Sequence, residues 1–387
     1  MKKALLTISA LSFLFGCGCG NKTASDQIRD DRELSKAEAA EYSKEITANW
    51  IAGSRTAMAE VFQKKLAKDG ELEMPLWWTV YGSKPEGGYS LYISLHGGGG
   101  APPSLNDQQW DNQKRLYSPK DAVYLAPRAP WNTWDLWFHE GIDPLYEQVI
   151  RMCVAYLDVN PDKVYIMGYS AGGDGVWREA PRMADHWAAA SMMAGHPGDV
   201  SLVNLRNTPF MIWCGAEDSA YNRNKECAAR GEEMDSLQKE DPEGYVHKTT
   251  IVEGAGHWMN RVDTTAVSWM APFVRNTAPK KVVWRQADVL RQYFYWIEAP
   301  QDQLARDKEV RLKVDGNKIT IEKCDYSSIT LWLNDRIVDL DRQVQVEYSG
   351  RTVFKGSLKR SSGLMKSSLE QRNDPGYIFS AKINVSL

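Results

Sequence analysis

The segment best suited to chemistry is Gly168-Tyr169-Ser170-Ala171-Gly172, which follows the apolar run 163–167. An apolar, β-branched run that ends in Gly-x-Ser-x-Gly and continues in a helical pattern predicts a strand, a sharp turn and a helix. The two glycines leave space for a strained turn that exposes the serine hydroxyl. Ser170 is therefore the candidate nucleophile for attack on a carbonyl carbon.

A glycine-rich segment upstream has the composition needed to stabilise the negative charge that such an attack creates. The strand-like run 91–95 ends in His96-Gly97-Gly98-Gly99-Gly100. We expect the backbone N–H groups of Gly98, Gly99 and Ala171 to form an oxyanion hole. A flexible linker and a phosphate-binding loop are the alternatives, but the phosphate-binding pattern is incomplete because no Gly-Lys-Ser/Thr follows.

A candidate acid and a candidate base follow the serine in the expected order. Asp218 comes after the strand-like run 209–214, and His257 lies on a glycine-rich loop after the run 249–252. His257 would take the proton of Ser170, and Asp218 would hold the imidazole in the required tautomer. Glu217 is the alternative acid because it precedes Asp218 on the same loop.

The remaining histidines are expected to be structural or exposed and not to take part in the chemistry. His196 is the rival base because it also follows an apolar run, 188–193, but it would break the order serine, acid, histidine. We expect His196 to form a wall of the substrate cleft. His96 is expected to shape the glycine loop, and His186 to have a structural role.

The nucleophile segment carries a resemblance to a known family. Its residues, Asn160-Pro161-Asp162-Lys163-Val164-Tyr165-Ile166-Met167-Gly168-Tyr169-Ser170-Ala171-Gly172-Gly173, resemble the corresponding segment of secreted α/β-hydrolase esterases related to polyhydroxybutyrate depolymerases and to feruloyl and acetylxylan esterases. The resemblance covers residues 75–275. It implies a triad of Ser170, Asp218 and His257, with no metal and no cofactor. A long acidic, tryptophan-rich insert before the nucleophile helix departs from the family pattern and leaves the substrate open.

Several residues near the expected cleft could contact a substrate. Trp134 and Trp258 are amphipathic rings suited to stacking on sugars or aromatic acyl groups, although most tryptophans of the chain are expected in the core. Arg128 follows a strand-like run, where ligands of open α/β sheets bind, and could clamp a carboxylate or a sugar hydroxyl. An ion pair with Asp135 or Glu140 is the alternative role of Arg128.

The N-terminus has the pattern of a lipoprotein signal. Lys2 and Lys3 precede an apolar stretch, 4–15, that is too short to span a bilayer as a helix. The stretch ends in Leu14-Phe15-Gly16-Cys17, which resembles a bacterial lipobox with Cys17 as the acylated residue. We expect a signal peptide over 1–16, a tether over 17–33, and a location in the bacterial cell envelope, periplasmic or on the outer surface. Acylation of Cys19 or an ordinary cleaved signal are the alternatives.

Composition narrows the possible partners. The formal net charge is −3, with acidic and basic residues interspersed, which argues against a nucleic-acid partner. The cysteines show no metal-binding spacing. A disulfide between Cys214 and Cys227 and buried free thiols are both open. The expected partners are a small-molecule or carbohydrate ester and a membrane, the latter through the lipid anchor only.

The pattern along the chain divides it into three parts. Residues 34–70 are predicted as a helical segment, which Gly53 could break in two. Residues 71–278 alternate strand-like and helical runs, which predicts a mostly parallel sheet flanked by helices. Residues 279–387 contain short runs separated by turn residues, which predicts an antiparallel β-sandwich-like domain. We favour a supporting role for that domain over carbohydrate contact.

Three functions fit these observations. The leading hypothesis is a lipid-anchored serine hydrolase that cleaves carboxylic esters. A serine peptidase of the prolyl-oligopeptidase kind shares the triad and its order, but usually carries its accessory domain before the hydrolase. A non-catalytic binding lipoprotein on a hydrolase scaffold is the third hypothesis, although it need not retain every group of the site.

Overall fold

The computed structural model describes residues 31–387. The predicted signal peptide, Cys17 and most of the predicted tether lie outside the described residues. The described chain begins with strand β1 (Glu33–Leu34) and helices α1 (Lys36–Ala57) and α2 (Ala59–Lys64). Among residues 31–387, no helix is both long and apolar enough to cross a membrane.

Helix α1 has a well-defined start and a later end than expected. The Ser35 hydroxyl accepts a hydrogen bond from the Glu38 N–H, and the Glu38 carboxylate accepts one from the Ser35 N–H, which completes a capping box. The helix continues through Gly53 to Ala57, so the expected break at Gly53 is wrong. No atom lies within 4 Å of the position that a Gly53 side chain would take, so no neighbouring group requires glycine at this point of the helix.

Eight strands form the central sheet: β2 (Leu66–Asp69), β3 (Leu72–Tyr81), β4 (Tyr89–Leu95), β5 (Ala122–Pro127), β6 (Val159–Tyr169), β7 (Ala189–Met193), β8 (Phe210–Gly215) and β9 (His247–Val252). They lie in the order β2-β3-β5-β4-β6-β7-β8-β9. Strand β3 is antiparallel to β2 and β5, and the strands from β5 to β9 are parallel. The predicted α/β-hydrolase arrangement is confirmed, but its sheet begins at Leu66, before the predicted boundary at residue 71.

Helices cover both faces of this sheet: α3 (Pro103–Gln113), α4 (Asp143–Tyr156), α5 (Ala171–Arg182), α6 (Arg223–Glu240) and α7 (Thr265–Met270). Met152, Trp177 and Met234 of α4, α5 and α6 belong to one apolar core, and Met270 of α7 belongs to another. Strands buried on both faces have near-continuous apolar sequences, which explains runs such as β8. The loops after parallel strands meet at one edge, where the candidate residues lie.

The C-terminal domain contains two sheets that share one core. The first comprises β10 (Lys281–Arg285), β13 (Glu309–Asp315), β14 (Lys318–Cys324), β16 (Val344–Tyr348) and β17 (Arg351–Gly356). The second comprises β11 (Tyr293–Phe294), β12 (Ile297–Glu298), β15 (Ser328–Leu333) and β19 (Ala381–Ser386). All strand pairs in these two sheets are antiparallel except β14 with β16.

Three elements of this domain were not predicted: strand β18 (Arg360–Ser361), helix α8 (Ser362–Arg372) and strand β19. Leu369 of α8 packs with Leu34 and Ile46 of the N-terminal segment. Strand β18 (Arg360–Ser361) also pairs with β1. The N-terminal segment therefore packs on the C-terminal domain as well as on the hydrolase sheet.

Ion pairs join the hydrolase and C-terminal domains. Several arginine–aspartate pairs cross the boundary, among them Arg291 with Asp143 at 3.0 Å, Arg372 with Asp185 at 3.0 Å, and Arg275 with Asp374 at 2.6 Å. All three arginines are largely buried, and Arg291 and Arg275 each have a second carboxylate partner, Glu147 and Asp162 respectively. The boundary is therefore a specific contact between two packed domains.

The cysteines of residues 31–387 are free. Cys214 lies on β8 and Cys227 on α6, and both are buried. Of the two possibilities left open by the sequence, the structure has buried thiols at these positions.

Candidate active site

Ser170 stands on a strained turn between β6 and α5. Its backbone angles are φ 58° and ψ −122°, a conformation that residues other than glycine rarely adopt. The Ser170 N–H donates to the Met193 carbonyl at 2.9 Å, which holds the turn against the neighbouring strand. A side chain on Gly168 would overlap the Gly172 carbonyl, and one on Gly172 would overlap the Leu95 carbonyl. Close backbone packing thus explains both glycines of the motif.

Three of the predicted residues form one chain of hydrogen bonds. Nε2 of His257 lies 2.9 Å from Oγ of Ser170, and Nδ1 lies 2.7 Å from Oδ2 of Asp218. Because a carboxylate only accepts, the Nδ1–H donates to Asp218, and Nε2 is left to accept the Ser170 proton. The alternative acid Glu217 is exposed, and the contact with His257 belongs to Asp218.

Asp218 is buried beside a cation that the sequence analysis did not identify. Nη1 of Arg223 donates to Oδ1 of Asp218 at 3.4 Å, while Oδ2 is engaged by His257. The Asn224 N–H donates to the Asp218 carbonyl at 3.0 Å and its side chain donates to Ala216, so the loop is held at two points. Arg223 begins helix α6, five residues after the acid, and that proximity in sequence is the signal that could have indicated it.

Tyr169 holds the loop that carries His257, a contact that the sequence did not indicate. Its hydroxyl donates to the His257 carbonyl at 2.7 Å and accepts from the Met259 N–H at 3.1 Å. The ring lies 5.5 Å from that of Trp258, centroid to centroid. The residue preceding the nucleophile therefore also fixes the backbone on both sides of Trp258.

The glycine loop supplies fewer free N–H groups than expected. Gly98 and Gly99 both have positive φ, near 113° and 117°. The Gly99 N–H donates to Oδ1 of Asn106 at 3.0 Å, so its assignment to the oxyanion hole is wrong. The Gly98 N–H has no acceptor among residues 31–387, and Ala171, as the first residue of α5, has none within its helix.

Asn106 and His96 hold this loop. Asn106 Nδ2 also donates to the Gly99 carbonyl at 3.0 Å, which makes two bonds to the same residue. His96 Nε2 accepts from the Ala129 N–H at 3.1 Å, and Nδ1 therefore carries the proton donated to the Gly97 carbonyl. Burial lowers the pKa of His96 to about 3, so the ring stays neutral and serves as a fixed support.

Arg128 does not reach the cleft. It is buried, its Nε donates to Oδ1 of Asp107 at 2.8 Å, and Nη2 donates to Oδ1 of Asn132. Nη1 donates to the backbone carbonyls of Ala129 and Trp131. The predicted substrate role is wrong, because most of its donors are already used within the loop; its ion-pair partner is Asp107 and not Asp135 or Glu140.

Of the other predicted substrate contacts, Trp258 lines the cleft, whereas Trp134 and His196 do not. Trp258 lines the cleft next to His257 and is 48% exposed. Trp134 is 69% exposed and its backbone lies against Gly99 and Gly100, outside the cleft lining. His196 is also absent from that lining.

His196 instead contacts helix α5 through Asp174. Its N–H donates to Oδ1 of Asp174 at 2.6 Å, and its Nδ1 accepts from the Gly198 N–H at 3.0 Å. Burial raises the pKa of Asp174 despite the hydrogen bond from His196. His196 does not line the cleft over Ser170, and its role as a wall of a substrate cleft stays a prediction.

The cleft over Ser170 has a volume of about 700 Å³. Its lining combines apolar, amide and cationic side chains with the glycine loop: Gly97, Gly98, Leu105, Gln109, Asn112, Gln113, Arg115, Leu116, Tyr169, Ser170, His257, Trp258 and Arg261. Such a mixture suits an organic molecule with several hydrogen-bonding groups. Within residues 31–387, no group of three or more His, Cys, Asp or Glu side chains is arranged to hold a metal ion.

Comparison with known proteins finds similarity in fold. Neither a protein-family model nor a curated protein matches the sequence. A thermostable esterase structure matches at 19% identity and a TM-score of 0.43, over 54% of this chain and 62% of its own length, which is less than two thirds. FphF, a fluorophosphonate-binding serine hydrolase of Staphylococcus aureus, matches at 14% identity and a TM-score of 0.38, over 53% and 96%.

A ferulic acid esterase structure matches at 16% identity and a TM-score of 0.33, over 51% of this chain and 98% of its own. The strand order and the strained serine turn define the α/β-hydrolase fold for the present chain. Because the identities and TM-scores are low, its activity has to be argued from its own side chains.

Proposed function

We propose that this protein is a serine hydrolase that cleaves carboxylic esters. The observation that carries the proposal is the hydrogen-bond chain from Ser170 through His257 to Asp218, located at the base of an open cleft. A nucleophile, a base and an orienting acid in this geometry form the arrangement that activates a serine hydroxyl.

The proposed reaction has two halves. Ser170 Oγ attacks the ester carbonyl while His257 Nε2 takes its proton, and the oxyanion is stabilised by the N–H groups of Gly98 and Ala171. The C–O bond to the alcohol then breaks, and His257 returns the proton to the leaving oxygen. Water, deprotonated by His257, attacks the acyl-enzyme. The bond between the acyl carbon and Ser170 Oγ then breaks, His257 returns the proton to Oγ, and the acid is released. Throughout, Asp218 stabilises the imidazolium.

We further propose a carbohydrate-linked ester as the substrate. Trp258 offers a half-exposed ring beside the base for stacking on a sugar, and Gln109 and Asn112 supply amide groups for hydroxyls. The lipobox-like segment supports anchoring through Cys17 at the bacterial cell envelope, where extracellular or periplasmic carbohydrate would be accessible.

The direct test is hydrolysis of p-nitrophenyl acetate by the protein and by Ser170→Ala. We expect turnover by the parent protein and its loss in Ser170→Ala, with Ser236→Ala as the control because Ser236 is exposed on α6. No turnover by the parent would contradict the esterase proposal. Preferential cleavage of an aminoacyl amide would indicate a peptidase.

A further inference from the structure

The charged side chains that line the cleft over Ser170, apart from His257, are both cationic. Arg115 and Arg261 are the charged residues of its lining apart from the histidine of the site, and no Asp or Glu lines it among the described residues. Both arginines are exposed. Since the whole chain has a formal net charge of −3, this local excess of positive charge is not part of a generally basic protein.

Arg115 and Arg261 each have guanidinium N–H donors that form no hydrogen bond within the described residues. Nη2 of Arg261 donates to the Leu116 carbonyl at 2.7 Å, and Nε of Arg115 donates to the Asp111 carbonyl at 3.3 Å. Neither forms an ion pair within residues 31–387. Arg128 differs, because it is buried and its guanidinium is occupied by Asp107 and nearby carbonyls.

The nearest acids are already engaged. Asp111 pairs with Lys114 at 2.7 Å, and its charge also interacts with Arg115 without a direct ion pair. Asp263 is buried and accepts a hydrogen bond from the Tyr117 hydroxyl at 2.5 Å, and burial raises the pKa of Asp263. The free guanidinium faces of Arg115 and Arg261 are thus left for a group from outside the chain.

A second cavity extends the cationic surface away from the nucleophile. It has a volume of about 520 Å³, and it shares Leu116 and Arg261 with the cleft over Ser170. Lys120 is a further cation in its lining, and here too no Asp or Glu is present among the described lining residues. The bond from Arg261 to Leu116 lies where the two cavities adjoin, so an extended molecule could contact both.

We propose that these cavities bind an acidic oligosaccharide, and that the ester cleaved at Ser170 is carried by a sugar chain with carboxylate or sulfate groups. A planar guanidinium with free donors recognises either anion through paired hydrogen bonds. Arg115 and Arg261 would hold anionic groups on units next to the reacting one, while Trp258 stacks on a sugar ring. The inference deepens the proposed function and rests on it for the cleavage step, but binding is measurable without turnover.

The test is calorimetric binding of three tetrasaccharides to the full chain: tetragalacturonate, a sulfated carrageenan tetrasaccharide and neutral xylotetraose. We expect at least one acidic tetramer to bind about tenfold more tightly than xylotetraose, because each exposed charge pair contributes a few-fold. A preference for tetragalacturonate would identify carboxylates as the recognised groups, and a preference for the carrageenan would identify sulfates. The advantage should shrink as salt is raised.

Variants assign the effect to the two arginines. In Arg115→Gln/Arg261→Gln the acidic tetramers should bind no better than xylotetraose, while Arg115→Gln alone should lose about half of the advantage on a logarithmic scale. Arg351→Gln is the matched control, because Arg351 is exposed on β17 in the other domain.

Equal binding of all three tetramers, or an advantage that survives in the double variant, would overturn the inference. Failure of p-nitrophenyl acetate hydrolysis would instead count against the esterase proposal, so the two failures are distinguishable.

Discussion

Two histidine–aspartate pairs in this molecule have nearly the same geometry and different surroundings. Nδ1 of His257 lies 2.7 Å from Asp218, and Nδ1 of His186 lies 2.9 Å from Asp185. Both carboxylates are buried, but the His257 side chain is 44% exposed and that of His186 is 10% exposed. One pair opens onto the cleft, while the other lies where the hydrolase meets the C-terminal domain.

The two histidines differ in the group that their Nε2 atom faces. Nε2 of His257 faces the hydroxyl of Ser170, whereas Nε2 of His186 lies 3.5 Å from Oε1 of Glu147. Burial alone would lower the pKa of His186, but the charge of Asp185 and the hydrogen bonds to both carboxylates outweigh it and raise the pKa. A histidine held between two carboxylates is stabilised as a cation, so it suits an interface better than general base catalysis.

The largest expected effect separates the two histidines. His257→Gln should lower kcat/KM for p-nitrophenyl acetate about 10⁵-fold, because the serine loses its proton acceptor, and should leave the melting temperature nearly unchanged. His186→Gln is the control and should retain turnover at a temperature where it is folded. Substantial activity in His257→Gln would remove the distinction between the pairs.

Substitution of the orienting acid, Asp218, should have the next largest effect on activity. Asp218→Asn should lower kcat about 10⁴-fold, because an amide NH₂ in place of the carboxylate favours the wrong imidazole tautomer. Glu217→Gln is the matched control on the same loop and should retain full activity. If the two variants were equally active, or if Glu217→Gln were the impaired one, the assignment of Asp218 would be wrong.

His186→Gln should act on stability instead, with a loss of about 2–3 kcal/mol in the free energy of unfolding. Because the folded pKa lies above the ordinary value of 6.5, the stabilisation is fully present below that value and is lost as pH rises through the folded pKa. Urea unfolding should therefore show a larger effect of the substitution at about pH 5.5 than at about pH 9. An equal effect at both pH values would contradict the charged state of His186.

The smallest difference is expected between the arginines that contact the two aspartates. Arg223 lies 3.4 Å from Asp218, and Arg372 lies 3.0 Å from Asp185. Arg223→Gln should reduce kcat by about three- to tenfold through weaker orientation of the acid, whereas Arg372→Gln should lower stability by about 1–2 kcal/mol and leave kcat unchanged. Measurement of both quantities on both variants tests the contrast, and identical profiles would contradict it.

The features that sequence predicts well are those that the local backbone requires. Gly168 and Gly172 are needed because carbonyl groups pack where their side chains would be. The turn at Ser170 can therefore be predicted from residues 168–172 alone. The chain order of acid and histidine follows from the strand order of the sheet.

Contacts between side chains distant in sequence were not readable. Arg128 pairs with Asp107, which lies on helix α3. Arg115 and Arg261 come from different segments, and only the fold brings them to one cleft. Helix α8 has weak apolar periodicity, and it packs partly on the distant N-terminal segment.

The most direct test of the central claim is labelling with a fluorophosphonate probe, followed by mass spectrometry of the peptides. The probe forms a bond to an activated serine oxygen, so it reports on the hydroxyl itself and not on any chosen substrate. We expect an adduct on Ser170 in the parent protein and almost none in His257→Gln, with His186→Gln labelled like the parent. Absence of the adduct from the parent protein, or equal labelling of Ser170 in His257→Gln, would contradict the account.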